Sequence, residues 1–187
     1  MSFLPSLGSD ATLLDVFKKF SATAIPLLEY HEVLMRGESP LTVAQRELIA
    51  AYVSGLNACQ YCRGVHAVTA GRFGVSADLL EALLEDPSEA RVDQALRPLF
   101  AFVKKLTLTP TRISEEDAGK VFAAGWNEQA LHDAVSVCAL FNFMNRLVDG
   151  LGVKDNPNYS RIAGERLSAG GYLQLAKLLH QGADNGA

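Results

Sequence analysis

The stretch that most constrains this chain runs from Glu47 to Gly71, ELIAAYVSGLNACQYCRGVHAVTAG. Within it Cys59, Cys62 and His66 stand at i, i+3 and i+7. On an α-helix, at roughly 100° per residue, those side chains fall within about 60° of arc and share one face. Ser54-Gly55 suits a helix end and Asn57 is a preferred N-cap residue. The spacing predicts one helix over residues 42–55 and a second over 58–71, with both cysteines near the start of the second. A helix N-terminus carries about half a positive charge and unpaired N–H groups, which favour thiolate over thiol. A histidine one turn beyond Cys62 is placed to trade a proton with it. The stretch offers an activated cysteine, a second cysteine in disulfide range and a base.

The rest of the chain repeats with a helical period, and few segments alternate like strands. A loose arm over residues 1–9 precedes a helix begun by Ser9 or Asp10 and running to Phe20. A second helix spans 25–35, with Pro26 in its first turn. Thr42-Val43-Ala44-Gln45 reads as a capping box opening the third. Gly71 and Gly74 end the motif helix, and a short amphipathic helix covers 76–84 before Asp86-Pro87. Ser88 opens a longer helix to about Leu106, with Pro98 as a kink. After a turn at 107–112, Ser114 and its acidic neighbours begin the next helix, and Gly125 stops it. Asn127 caps ALHDAVSVCALFNFMNRLVDGLG, apolar on most faces and therefore central. Further helices follow over 161–167 and 172–180, hinged at Gly170-Gly171. The fold class is all-α, with roughly nine helices in one domain spanning 1–187, and no linker or short repeat divides it.

At 187 residues the chain is long enough to bury a substantial core. A net charge of −4 argues against nucleic acid or an anionic membrane as partner. No apolar run approaches a membrane span, and the first ten residues lack the features of a signal peptide. A cytoplasmic protein is the expectation. In such a reducing compartment a CxxC is redox-active or metal-binding rather than a structural disulfide.

Three readings of Cys59 and Cys62 compete: redox pair, zinc ligands and buried structural thiols. Zinc takes four ligands, commonly as two separated pairs. No second CxxC is present, so Cys138, His31, His132 or Glu47 would have to complete the shell. Redox chemistry is the favoured reading, with no metal and no cofactor. Glu47 reads either as a solvated helix residue, the usual place of a glutamate, or, given its apolar flanks, as a buried one that a reversal after Gly55 returns beside His66. His31 and His132 read as ordinary amphipathic-helix positions and His180 as exposed. Cys138 reads as a small hydrophobe in an apolar helix. Asn145 and Arg146, polar in the same helix, are expected to cap or to pair at a subunit interface.

Glu47, Cys59, Cys62 and His66 together spell E-x11-C-x2-C-x3-H. That pattern resembles the signature of the alkyl hydroperoxidase D and carboxymuconolactone decarboxylase superfamily. The motif match covers residues 42–71, and helical layout with the segment FNFMNRLVDGLGV extends the likeness to its peroxidase-related branch. The resemblance implies a helical bundle of the hydroperoxidase D type. It also implies a thiol-dependent peroxidase acting on hydrogen peroxide or alkyl hydroperoxides. Cys62 would be oxidised to a sulfenic acid, Cys59 would close the disulfide, His66 would move the proton and Glu47 would orient His66. A lipoyl or thioredoxin-like protein would be the reductant, and the chain would form a homo-oligomer. One departure stands out: some members carry a histidine just before the second cysteine, where this chain has Tyr61. Tyr61 either shapes an apolar peroxide pocket or simply packs. The alternatives are a lactone decarboxylase, against which the paired cysteines count, and a non-enzymatic redox sensor or binding module.

Overall fold

The computed structural model describes residues 2–87 and 92–184. Ten α-helices and one 3-10 turn, Pro110–Arg112, make up its regular structure, and no strand occurs among the described residues. The first five helices are α1 (Leu13–Lys19), α2 (Ser21–Arg36), α3 (Val43–Leu56), α4 (Gln60–Arg72) and α5 (Ala77–Glu85). The others are α6 (Leu96–Leu108), α7 (Glu115–Ala123), α8 (Glu128–Gly150), α9 (Pro157–Gly170) and α10 (Leu173–Asp184).

Local chemistry fixes most of the helix starts. Thr12 with Asp15, Thr42 with Gln45 and Ser114 with Asp117 form reciprocal capping boxes. Asn127 accepts from the Ala130 N–H, and Asn156 from those of Asn158 and Tyr159. Gly74 and Gly125, both at positive φ, turn the chain out of α4 and α7. The N-cap of α10 is supplied from a distance. Glu32 on α2 accepts from the backbone N–H groups of Tyr172 and Leu173, satisfying two donors that the helix itself cannot.

α3 is the centre of the bundle. Every residue from Arg46 to Ser54 is buried, and α3 packs against α2, α4, α5, α6 and α8. Tyr52 meets Phe100 of α6 edge-on at 5.2 Å between ring centroids. The long, apolar α8 covers α3 on one side. On the other, α4 lies between α3 and α9. α9 comes close because Gly164 has no side chain: a Cβ there would stand 2.8 Å from the Val65 carbonyl oxygen. α10 packs back on α2.

Several sequence expectations shift. The first helix begins at Leu13 rather than at Ser9 or Asp10, because the Thr12–Asp15 box outcompetes them. The second begins at Ser21, which places Pro26 inside it. Pro26 and Ala22 are both exposed, so water can satisfy the carbonyl that the proline leaves without a donor. The expected start at Ser88 lies outside the described residues. α6 begins at Leu96, and Pro98 then falls in its first turn, where no intrahelical N–H is needed. The last two helices run longer than expected, and the described residues hold ten helices, in line with the roughly nine expected. No helix among the described residues is long and apolar enough to cross a membrane.

Candidate active site

The site begins at the turn between α3 and α4, which is tighter than a helix end followed by a cap. The Cys59 N–H bonds to the Ser54 carbonyl and the Ala58 N–H to that of Gly55. These are the two crossed bonds of a Schellman motif, with Ala58 left-handed at φ 57. Cys59 thus closes one helix and serves as the N-cap of the next. The expectation that Asn57 caps α4 is therefore wrong: it is the C-cap of α3. Its side chain instead donates to Asn145 and Asn142 of α8, at 2.9 Å and 3.1 Å. Asn145 also donates to Ser54 at 3.0 Å, so this buried amide of α8 clamps the turn.

The turn folds α4 back along α3 and returns His66 to Glu47. Glu47 is fully buried, and its Oε2 lies 2.7 Å from His66 Nδ1. Its Oε1 accepts from Arg36 at 2.6 Å and from the Tyr172 hydroxyl at 3.1 Å. Arg36, at the end of α2, also donates to the carbonyls of Met35 and Leu167 and lies over the Tyr172 ring at 5.1 Å. Burial alone would raise the Glu47 carboxyl. The adjacent His66 and Arg36 overcome it and hold the group below the ordinary glutamate range. Glu47 is therefore a carboxylate with every oxygen satisfied. The same bond directs His66 Nδ1 toward Glu47 and leaves Nε2 outside that contact.

Cys62 and His66, one turn apart on α4, both line an apolar cavity of about 80 Å³. Its other walls include Phe17, Val65, Met144 and Leu175, together with His31, Tyr61 and Tyr172. Phe141 holds the His66 ring edge-on at 4.4 Å. Cys59 is buried behind Cys62 and is not part of the cavity wall. All three cysteines are free thiols. The helix N-terminus does not lower Cys62 as the sequence suggested. Its thiol is pushed well above the ordinary value, first by the hydrogen-bonded Cys59 thiol and then by burial. Asn145 opposes this by hydrogen bonding to Cys62, without reversing it. A thiolate at Cys62 therefore needs a base to take its proton, and the imidazole of His66 lines the same cavity.

The sequence model of the carboxymuconolactone decarboxylase family matches residues 23–105, which include all of α3 and α4. An uncharacterized peroxidase-related protein from Silicibacter sp. TM1040 shares the fold at a TM-score of 0.73 and 27% identity. The likeness covers 79% of this chain and 78% of that one. Model and structure together make the chain similar to the alkyl hydroperoxidase D-like and carboxymuconolactone decarboxylase superfamily. A second structure shares the fold at a TM-score of 0.72 and 20% identity, over 80% of this chain and 78% of its own. It is described as an alkylhydroperoxidase AhpD core, an uncharacterized peroxidase-related protein from Ralstonia eutropha JMP134. No curated protein matches the sequence.

Within this superfamily fold, the four motif residues converge on one site and the other singled-out residues divide. His31 is not an ordinary amphipathic position: it is buried and lines the cavity beside Cys62 and His66. Tyr61 also lines the cavity and stacks on Tyr159 at 5.7 Å. Cys138 packs in the core against Thr107, while His132 and His180 are exposed on the surface. Arg146 bonds within its own helix to Asn142. Among the described residues, no three histidine, cysteine or acidic side chains cluster as metal ligands. Sequence reasoning missed Arg36 and Tyr172. Neither carries a local signal, since their partner Glu47 lies 11 and 125 positions away.

Proposed function

We propose that this protein is a thiol-dependent peroxidase, reducing hydrogen peroxide or alkyl hydroperoxides through a redox disulfide between Cys59 and Cys62. One observation carries the reading: a cavity-lining thiol stands one turn from an imidazole whose other nitrogen is bound to a buried carboxylate. His66 Nε2 takes the Cys62 proton, and ionised Glu47 stabilises the imidazolium that forms. The thiolate attacks the outer oxygen of the hydroperoxide; an S–O bond forms and the O–O bond breaks. The departing alkoxide takes the proton back from His66 and leaves as an alcohol, or as water from hydrogen peroxide. Cys59 then attacks the Cys62 sulfenic acid, forming the disulfide and releasing water. An external dithiol restores both thiols.

Cys59 suits the second role because it adjoins Cys62 but is not part of the cavity wall. The peroxidase-related descriptions of both similar structures support the same reaction class. The reductant would be a lipoyl or thioredoxin-like protein, and the working form a homo-oligomer. The test is peroxide consumption in the presence of dithiothreitol. Cys62→Ser should abolish turnover, and Cys59→Ser should stop at a sulfenic acid or a trapped mixed disulfide. Unchanged turnover in both variants would overturn the reading.

A further inference from the structure

His31 is the second imidazole of the cavity, and the relay just described does not use it. Its Nδ1 lies 2.7 Å from the Leu27 carbonyl oxygen, one turn back on α2. A carbonyl only accepts, so the proton sits on Nδ1 and the lone pair on Nε2. The ring is fixed on two sides, 5.0 Å from the Tyr172 ring and edge-on to Phe141 at 6.0 Å. It is only 3% exposed, and burial pulls its pKa down to about 4, so it stays neutral at ordinary pH. The two histidines thus differ in kind. His66 is tied to a carboxylate that supports a positive charge, whereas His31 is tied to the backbone and stays an uncharged acceptor.

A neutral acceptor on an apolar wall is matched by an uncharged O–H donor, because a buried polar group without a partner costs free energy. A hydroperoxide, R–O–O–H, carries one such donor, on the outer oxygen that a thiolate attacks. We propose that His31 Nε2 accepts the O–H of the bound hydroperoxide and so aims its outer oxygen at Cys62. This inference rests on the peroxidase reading and names the group that orients the substrate. No proton moves to His31. The hydrogen it receives stays on the outer oxygen, which becomes the hydroxyl of the Cys62 sulfenic acid, while the inner oxygen leaves with the proton from His66.

The test compares two reactions of the same thiol. In His31→Leu, oxidation of Cys62 by tert-butyl hydroperoxide should slow about tenfold, the effect of one lost substrate hydrogen bond. Alkylation by iodoacetamide, which offers no O–H, should stay within about twofold. His31→Gln, which keeps a carbonyl acceptor, should recover part of the loss. Oxidation of His31→Leu at the wild-type rate, or equal slowing of both reactions, would overturn the inference. A measurement without substitution at His31 gives an independent answer. In Cys62→Ser, titration with tert-butyl hydroperoxide should shift the His31 Nε2 nitrogen resonance, and a resonance that never moves would overturn it. Wild-type protein that is alkylated but never oxidised by hydroperoxide would instead remove the peroxidase reading itself.

Discussion

The two walls of the cavity are built in opposite ways. The α3–α4 wall comes from one short stretch, Glu47 to His66, whose own turn brings carboxylate, thiols and imidazole together. The facing wall is assembled from α2, α9 and α10. His31 of α2 and Tyr172, just before α10, meet there because α10 packs on α2 and Glu32 caps α10 across 140 positions of sequence. Arg36, at the end of α2, backs them through Glu47 and the Tyr172 ring. The first wall holds the reacting groups. The second fixes their charge state and their solvent: Arg36 and Tyr172 keep Glu47 ionised or bonded, and His31 supplies a neutral acceptor.

The two walls depend on each other most strongly at Glu47. Glu47→Ala would leave Arg36 half-buried without its carboxylate and His66 without its anchor. Loss of one partner from a buried ion pair costs about 3–5 kcal/mol, and denaturant unfolding should report a fall of that order. Preserved stability would mean that the second wall holds together without the first.

The next largest effect is a pH dependence owed to the second wall. The folded-state pKa of His31 lies below its ordinary 6.5, at about 4. Between those values the unfolded chain binds a proton that the folded chain refuses, so stability rises with pH across that window. The full effect is up to about 3 kcal/mol. Unfolding free energies from pH 4 to 6.5 should show the slope, and His31→Leu should flatten it. Glu47 acts lower. Its folded pKa is depressed, so its contribution is present above its ordinary 4.5 and is lost as pH falls below it. A slope unchanged by His31→Leu would place the titrating group elsewhere.

The smallest effect isolates the first wall. Ala58 holds a left-handed conformation that favours glycine. Ala58→Gly should stabilise the protein by about 0.5–1 kcal/mol, read from its melting temperature, and should leave the reactivity of Cys62 nearly intact. A marked loss of thiol reactivity would show that the strained alanine helps to aim the cysteines.

The sequence exposed the first wall because its residues obey a single local rule. Helical spacing puts Cys59, Cys62 and His66 on one face, and the return of Glu47 beside them is one of the two placements its own spacing allows. Even there, the turn differs from what local residue preferences suggest. The Schellman motif placed an alanine where glycine or asparagine is usual, and moved Asn57 from the start of α4 to the end of α3. His31 carried no sign of its position, since a histidine on an amphipathic helix looks the same whether it meets solvent or a cavity. The thiolate expectation for Cys62 failed for a similar reason. Helix polarity is legible in sequence, whereas burial and the neighbouring Cys59 thiol belong to the folded state.

By itself, the sequence determined the helical class, several of the caps and the order of groups along α4. Those follow from periodicity and from hydrogen bonds between residues a few positions apart. Tertiary structure alone decided that Glu47 is an ionised, fully bonded carboxylate, that Cys62 lines the cavity while Cys59 sits behind it, and that a second imidazole faces the same space. Charge state and solvent access depend on what packs against a group, and here much of that packing comes from helices more than a hundred residues away.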